Sequence, residues 1–206
     1  MPEYKLSYFN LRGLIEPARC CFHYAGVPFE DNRIAFNDWP AVKDSFPNKQ
    51  MPLLEVDGKK LSQSGSILRF VARATGLTGK DSFEEAKADE LYHFFYDNFR
   101  AGIAVVLDKV GIKKSENLAK DQEDFVHYST ISLDGYTKYL EEANNGYAFA
   151  SGLTYADFVI ASHFLLVKNM DEQLANKFPK VAEHYKKIWA IPQLQDYFSK
   201  RPDTIN

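Results

Sequence analysis

The chain has 206 residues, 45% of them apolar and 26% charged, which suits a soluble globular protein of one large or two small domains with a substantial core. A net charge of −3 argues against a nucleic-acid binder, which needs a basic footprint. Residues 1–80 carry 11 Lys+Arg against 8 Asp+Glu, and residues 81–206 carry 14 against 20, so the first part is mildly basic and suits an anionic ligand.

The first 80 residues alternate strand and helix signals. Lys5–Phe9 reads as a strand and Glu16–Tyr24 as a helix stopped by Gly26 and Pro28. Phe29–Ile34 is a second strand and Asp38–Asp44 a short helix. Leu53–Val56 and Lys59–Leu61 flank Asp57-Gly58, a strong hairpin signal, and a helix from about Ser64 to Thr75 ends at Gly76. This order, β-α-β-α-β-β-α, is that of the thioredoxin-like fold. After Gly79 the pattern is helical. Leu91, Phe95, Phe99, Ile103, Val106 and Val110 recur at three- and four-residue steps along one long helix. Phe125 to Ala143 forms another, broken at Asn144-Asn145-Gly146. Thr154 and Asp157 read as N-cap and N3 of a capping box, with Leu153 and Phe158 as its staple. The expected architecture is therefore an α/β thioredoxin-like domain over residues 1–79 and an all-α helical domain over residues 80–206.

Cys20 and Cys21 are adjacent in a helix and point to different faces, so no disulfide joins them. The longest apolar stretch, Phe158 to Val167, is broken by Ser162 and His163 and falls far short of the ~20 residues that span a bilayer. No charged start precedes an apolar run at the N-terminus, so the expected location is the cytoplasm, without membrane insertion. His23, His127, His163 and His184 have no metal-ligand spacing and read as surface or hydrogen-bonded core residues.

The most informative stretch is Gln50-Met51-Pro52-Leu53-Leu54-Glu55-Val56-Asp57-Gly58, followed by Gln63-Ser64-Gly65-Ser66-Ile67. Pro52 lacks an amide hydrogen and belongs at the start of a strand or in a special turn. Ser64 stands at the expected N-cap of the helix that follows. The backbone beside Pro52 and the amides at Ser64 can together hold an extended, peptide-like ligand with an anionic end. Tyr8, closing the first strand ahead of Leu11-Arg12-Gly13, lies in the same half.

Taken together, Tyr4 to Asn10, Arg12-Gly13-Leu14-Ile15-Glu16-Pro17, Asp38-Trp39-Pro40, Gln50-Met51-Pro52, Gln63-Ser64 and Ser151 to Asp157 resemble the glutathione transferases. They are most similar to the sigma class, which includes the glutathione-dependent prostaglandin D synthases. The resemblance runs to Ile191-Pro192 and Arg201-Pro202. It implies that Tyr8 is catalytic and stabilises the glutathione thiolate. A free thiol with pKa near ~8.5 is only a few per cent ionised at pH 7, and lowering that value by about two units takes roughly 2.7 kcal/mol of preferential stabilisation. A phenolic donor and nearby positive partial charges supply interactions of that size.

The same resemblance places the glutathione backbone against Met51 beside a cis Pro52. It puts the γ-glutamyl end at Gln63 and Ser64, and the glycine carboxylate at Trp39 and Lys43 with Lys49 and Gln50 alongside. Asp97 would reach the γ-glutamyl ammonium of a partner subunit, implying a homodimer. Phe9, Gly13, Leu14, Arg100, Ala104 and Val159 would form the electrophile pocket. Glutathione is the expected co-substrate, with no metal.

The chain also departs from its relatives. Asn48-Lys49 replaces a common Phe-Gly, and Gly65-Ser66 replaces a bulkier residue and Ala. Leu14 stands where the vertebrate prostaglandin D synthases have Arg, His93 and Tyr96 replace their intersubunit carboxylates, and no Trp lies in Arg100–Val106. The expected activity is transfer of glutathione to apolar electrophiles, in a detoxifying role, with peroxidase activity on organic hydroperoxides beside it. Two alternatives stand: a glutathione-dependent prostaglandin H2 D-isomerase, and a non-catalytic ligand-binding or crystallin-like relative.

Overall fold

The structure, a computed structural model, describes residues 2–204. It divides into two compact units, one of residues 2–77 with Pro192–Thr204 and one of Thr78–Ile191.

The first unit is built on a four-stranded sheet in the order β2-β1-β3-β4. Strand β1, Tyr4–Phe9, lies in its interior and buries Tyr4, Leu6, Ser7 and Tyr8. Strand β2, Glu30–Ile34, runs parallel to it. A parallel pair needs a crossover, and α1, Glu16–Tyr24, provides it. Strands β3, Leu53–Val56, and β4, Lys59–Ser62, are an antiparallel hairpin. Its turn residues Asp57 and Gly58 both have positive φ, 49° and 77°, as a type I′ turn requires. The register sets Leu6 opposite Leu54 and Tyr8 opposite Arg33. After the short α2, Trp39–Val42, and the hairpin, α3 runs from Ser64 to Thr75 and ends at the left-handed Gly76. Helices α1 and α3 pack on each other, and Ile15, Ala18, Phe22, Ile67, Leu68 and Val71 close the core between helices and sheet. The segment Pro192–Thr204 packs with this unit, where Tyr197 and Arg201 both bond to Glu16.

The second unit is helical: α4, Ser82–Lys109; α5, Leu118–Ala143; α6, Tyr155–Met170; α7, Glu172–Ala175; and α8, Pro179–Trp189. The last helix of the chain, α9, Gln195–Lys200, belongs to the first unit. Helix α6 is apolar nearly all round, the pattern of a central helix, and packs on α4 and α8. Its capping box forms as expected, with Thr154 at N-cap and Asp157 at N3. The fully buried Asp157 also accepts from the Ala148 amide at 2.7 Å and faces His184 Nε2 at 2.9 Å. Helices α4 and α5 approach closely at Gly102, where a Cβ would fall 2.6 Å from Phe125 Cδ2. No helix among the described residues is long and apolar enough to cross a membrane.

A buried polar chain pins α4, α5 and α6 in register. Tyr136 Oη lies 2.9 Å from His163 Nδ1, His163 Nε2 lies 2.6 Å from Asn98 Oδ1, and Asn98 Nδ2 donates to Ser129 Oγ at 3.1 Å. Since the Asn98 oxygen can only accept, Nε2 carries the imidazole proton and Nδ1 accepts from the tyrosine. Burial pushes His163 down to about 3 from its ordinary value of 6.5. Its folded pKa lies below its unfolded one, so this stabilising contribution is complete above the unfolded value and is lost as pH falls toward 3. Urea unfolding should therefore show wild-type stability falling by about 2 kcal/mol between pH 7 and pH 5, and His163→Gln should flatten most of that slope.

Candidate functional site

Tyr8, Pro52 and Gln63 lie at one end of the sheet, because Ser7 pairs with Leu53 and Leu53 with Ser62. Tyr8 is the penultimate residue of β1 and is 6% exposed. Behind it the chain turns through Leu11 and Arg12 into the 3-10 turn Gly13–Ile15. This turn brings the Leu14 backbone close to the Tyr8 hydroxyl. Gly13 makes this possible. Its φ is +52°, and a Cβ there would lie 2.7 Å from Tyr8 Cε1 and 3.0 Å from the Tyr8 oxygen.

The electrostatics define what Tyr8 can do. Burial pushes its phenol up to about 12, while the nearby Leu14 backbone and the Arg19 charge pull the other way. The group is thus a neutral phenol at pH 7, able to donate its proton in a hydrogen bond.

Met51-Pro52 is a cis peptide bond immediately ahead of β3. At the start of α3 the structure differs from the expected cap: Gln63 is the N-cap residue and Ser64 the first helical residue. Gln63 has φ 74° and ψ 120°, a sparsely populated conformation for a side-chain-bearing residue that persists where its surroundings impose it. The Gln63 side chain makes no capping bond, so it does not consume the first-turn amides at the positive end of the α3 dipole. Ser64 is 5% exposed and Gln63 exposed.

The residues expected at the glycine carboxylate are more open. Trp39 is partly exposed and packs edge-on against Phe9 and Phe46, with centroids 5.7 and 5.2 Å away. Phe9 also stacks on Phe36 at 4.4 Å. Lys43, Lys49 and Gln50 are exposed. Asn48 and Lys49 both have left-handed φ, 55° and 52°, so the glycine of the relatives suits position 49 better than lysine does. Lys49 Nζ pairs with Asp44 at 2.8 Å.

Of the expected site residues in the second unit, Asp97 and Arg100 are exposed on α4 and Ala104 is half-buried. Val159 is fully buried within α6. Cys20 and Cys21 are buried, and desolvation pushes both thiols upward, so neither is poised as a nucleophile.

Sequence reasoning passed over the buried ion pairs of α1. Glu16 and Arg19 are 1% and 0% exposed. Arg19 Nη1 donates to the Leu11 carbonyl at 2.7 Å, directly beneath the Tyr8 turn. The signal was a Glu and an Arg three residues apart in a helix whose other side chains are mostly apolar.

Two family models match the chain: the N-terminal domain of glutathione S-transferases over residues 4–73 and the C-terminal domain over residues 107–201. Probable glutathione S-transferase 8 of Caenorhabditis elegans is 37% identical, with 99% of each chain covered. Among solved structures, the monomeric glutathione S-transferase Na-GST-3 of the hookworm Necator americanus is 33% identical, covers 98% of each chain and superposes with a TM-score of 0.89. Prostaglandin synthase D of Nilaparvata lugens is 29% identical, with 98% of this chain and 100% of that one covered and a TM-score of 0.84. A thioredoxin-like half carrying a buried strand-end tyrosine, an all-helical half, and full-length likeness at this level of identity have one reading: the chain is an enzyme of the glutathione S-transferase family.

Proposed function

We propose that the protein conjugates the thiolate of glutathione to apolar electrophiles, with Tyr8 as the thiolate-stabilising residue. The observation that carries this reading is the buried Tyr8 hydroxyl at the end of β1, with the Gly13 turn packed against it. As a neutral phenol it has a proton to direct at a sulfur. Such a donor lowers the thiol pKa without becoming ionised itself.

Glutathione would lie extended, its cysteinyl backbone along Met51 and its γ-glutamyl carboxylate at Gln63 and Ser64. Its glycine carboxylate would lie toward Trp39, Lys43, Lys49 and Gln50. The protein's own cysteines are buried and raised in pKa, which favours a nucleophile brought in by the co-substrate over one owned by the chain. Peroxidase activity would use the same thiolate against a hydroperoxide oxygen. We assign the chain to the sigma class on its motifs, and read it as a cytoplasmic, detoxifying homodimer in which the exposed Asp97 serves the partner's glutathione. Phe9, Gly13 and Leu14 would serve the electrophile from the first unit, and Arg100 and Ala104 from the second; Val159, fully buried within α6, would act as packing.

The second reading is prostaglandin H2 isomerisation, favoured by the likeness to the prostaglandin synthase D of Nilaparvata lugens. Leu14 in place of Arg, and the lack of Trp in Arg100–Val106, weigh toward simple conjugation.

Conjugation of a chloronitrobenzene followed across pH tests the assignment. Tyr8→Phe should raise the apparent thiol pKa by about two units and lower the rate at pH 6.5 by roughly 10- to 100-fold. Unchanged turnover would remove Tyr8 from the mechanism. A second variant addresses geometry. Gly13→Ala must move the Tyr8 ring or abandon the positive φ, so it should lose at least about tenfold in rate and about 1–3 kcal/mol in stability, as read by conjugation assay and urea titration.

A further inference from the structure

The C-terminal segment of the first unit is tied into the turn that carries Tyr8. Tyr197 Oη donates to Glu16 Oε2 at 2.9 Å, and Arg201 Nη1 bonds to Glu16 Oε1. Glu16 Oε2 in turn lies 3.5 Å from Arg19 Nη1. Arg19 spends its remaining reach on the turn, donating to the carbonyls of Leu11 at 2.7 Å and Arg12 at 3.4 Å, and on Asp31 at 3.0 Å. Arg12 closes the loop by donating to the Thr204 carbonyl. Asp31 is shared with Arg33, whose Nη2 reaches the Tyr197 oxygen at 3.3 Å. The Tyr197 ring stacks on His23 with centroids 4.1 Å apart.

Glu16 and Arg19 have almost no exposed surface. Buried charges persist only when paired and hydrogen-bonded, and removing one partner of such a network redistributes the rest. The two cations bonded to Glu16 hold its carboxyl below its ordinary range despite burial. If one bond to Glu16 is lost, the carboxylate draws more heavily on Arg19, and Arg19 gives up its hold on the Leu11 and Arg12 carbonyls. That turn lies against the Tyr8 ring and hydroxyl at Gly13.

We propose that Tyr197 and Arg201 are positioning residues for the conjugation reaction, fixing the Leu11–Leu14 turn around the Tyr8 hydroxyl through Glu16 and Arg19. This inference rests on the thiolate-stabilising role of Tyr8. It extends the site to the C-terminal segment of the first unit.

The test compares wild type with Tyr197→Phe, Arg201→Met and Arg201→Lys in two readouts: amide hydrogen exchange across Phe9–Ile15 in unliganded protein, and the pH titration of thiolate absorbance of bound glutathione. Tyr197→Phe is the deciding variant. It keeps the ring and alters no charge, so a shift cannot come from a lost positive field. The expected result is about tenfold faster exchange of the turn amides and a bound-thiol pKa higher by about half a unit or more. Arg201→Met should shift further, with partial recovery in Arg201→Lys. Should Arg201→Met fail to fold, Tyr197→Phe decides alone. A Tyr197→Phe protein that is less heat-stable but has unchanged turn exchange or unchanged thiol pKa overturns the positioning role, since a merely structural contact would do that much. Wild type that binds no glutathione overturns the functional reading and this inference with it. Wild-type binding with unaltered variants overturns this inference alone.

Discussion

The close fit of the Gly13 turn against the Tyr8 hydroxyl is the constraint around which the first half of the chain is arranged. It requires a tyrosine at the end of an interior strand, so that the ring is buried and the oxygen fixed. It requires a turn that folds back within six residues, and Gly13, with φ +52° and no room for a Cβ, supplies that turn. Burial raises the phenol's pKa to about 12, widening its margin over a neighbouring thiol. A phenol at its ordinary value of 10.0 would also be neutral at pH 7. The difference is that a neighbouring thiolate cannot easily draw this proton away, so the hydrogen bond stays charge-assisted rather than collapsing into transfer.

The remaining devices of the first unit serve the same end. The hairpin brings cis Pro52 and the strained Gln63 to the same end of the sheet as Tyr8, because β3 lies next to β1 and runs antiparallel to it. Glu16 and Arg19 spend buried charge on holding the turn carbonyls. In the second unit the investment is different: the Tyr136–His163–Asn98–Ser129 chain fixes helix register with neutral groups.

Much of this was legible in the residues. The bounds of α1 and α3 were readable from Gly26, Pro28 and Gly76, and the capping box of α6 from Thr154 and Asp157, because local chemistry decides those features. The start of α5 was not. Leu118 to Asp124 carries little apolar periodicity, and the helix there is begun by the Asn117 side chain accepting from the Lys120 amide. Ser64 was read one place out as a cap because serine is a common N-cap, whereas here the strained Gln63 takes that position. The tail was least legible. Tyr197 and Arg201 look like surface residues of a short last helix, and only the fold reveals that Glu16, 181 and 185 residues away in sequence, needs them as partners. Long-range pairing of buried charge leaves no periodic trace.

The central claim is that Tyr8 meets the sulfur of glutathione, and a crystal structure of the protein with glutathione bound tests it most directly. The account predicts the sulfur within hydrogen-bonding distance of the Tyr8 oxygen, the cysteinyl backbone alongside Met51, and the γ-glutamyl carboxylate at the start of α3. Glutathione bound with its sulfur turned away from Tyr8, or seated elsewhere on the chain, would contradict it.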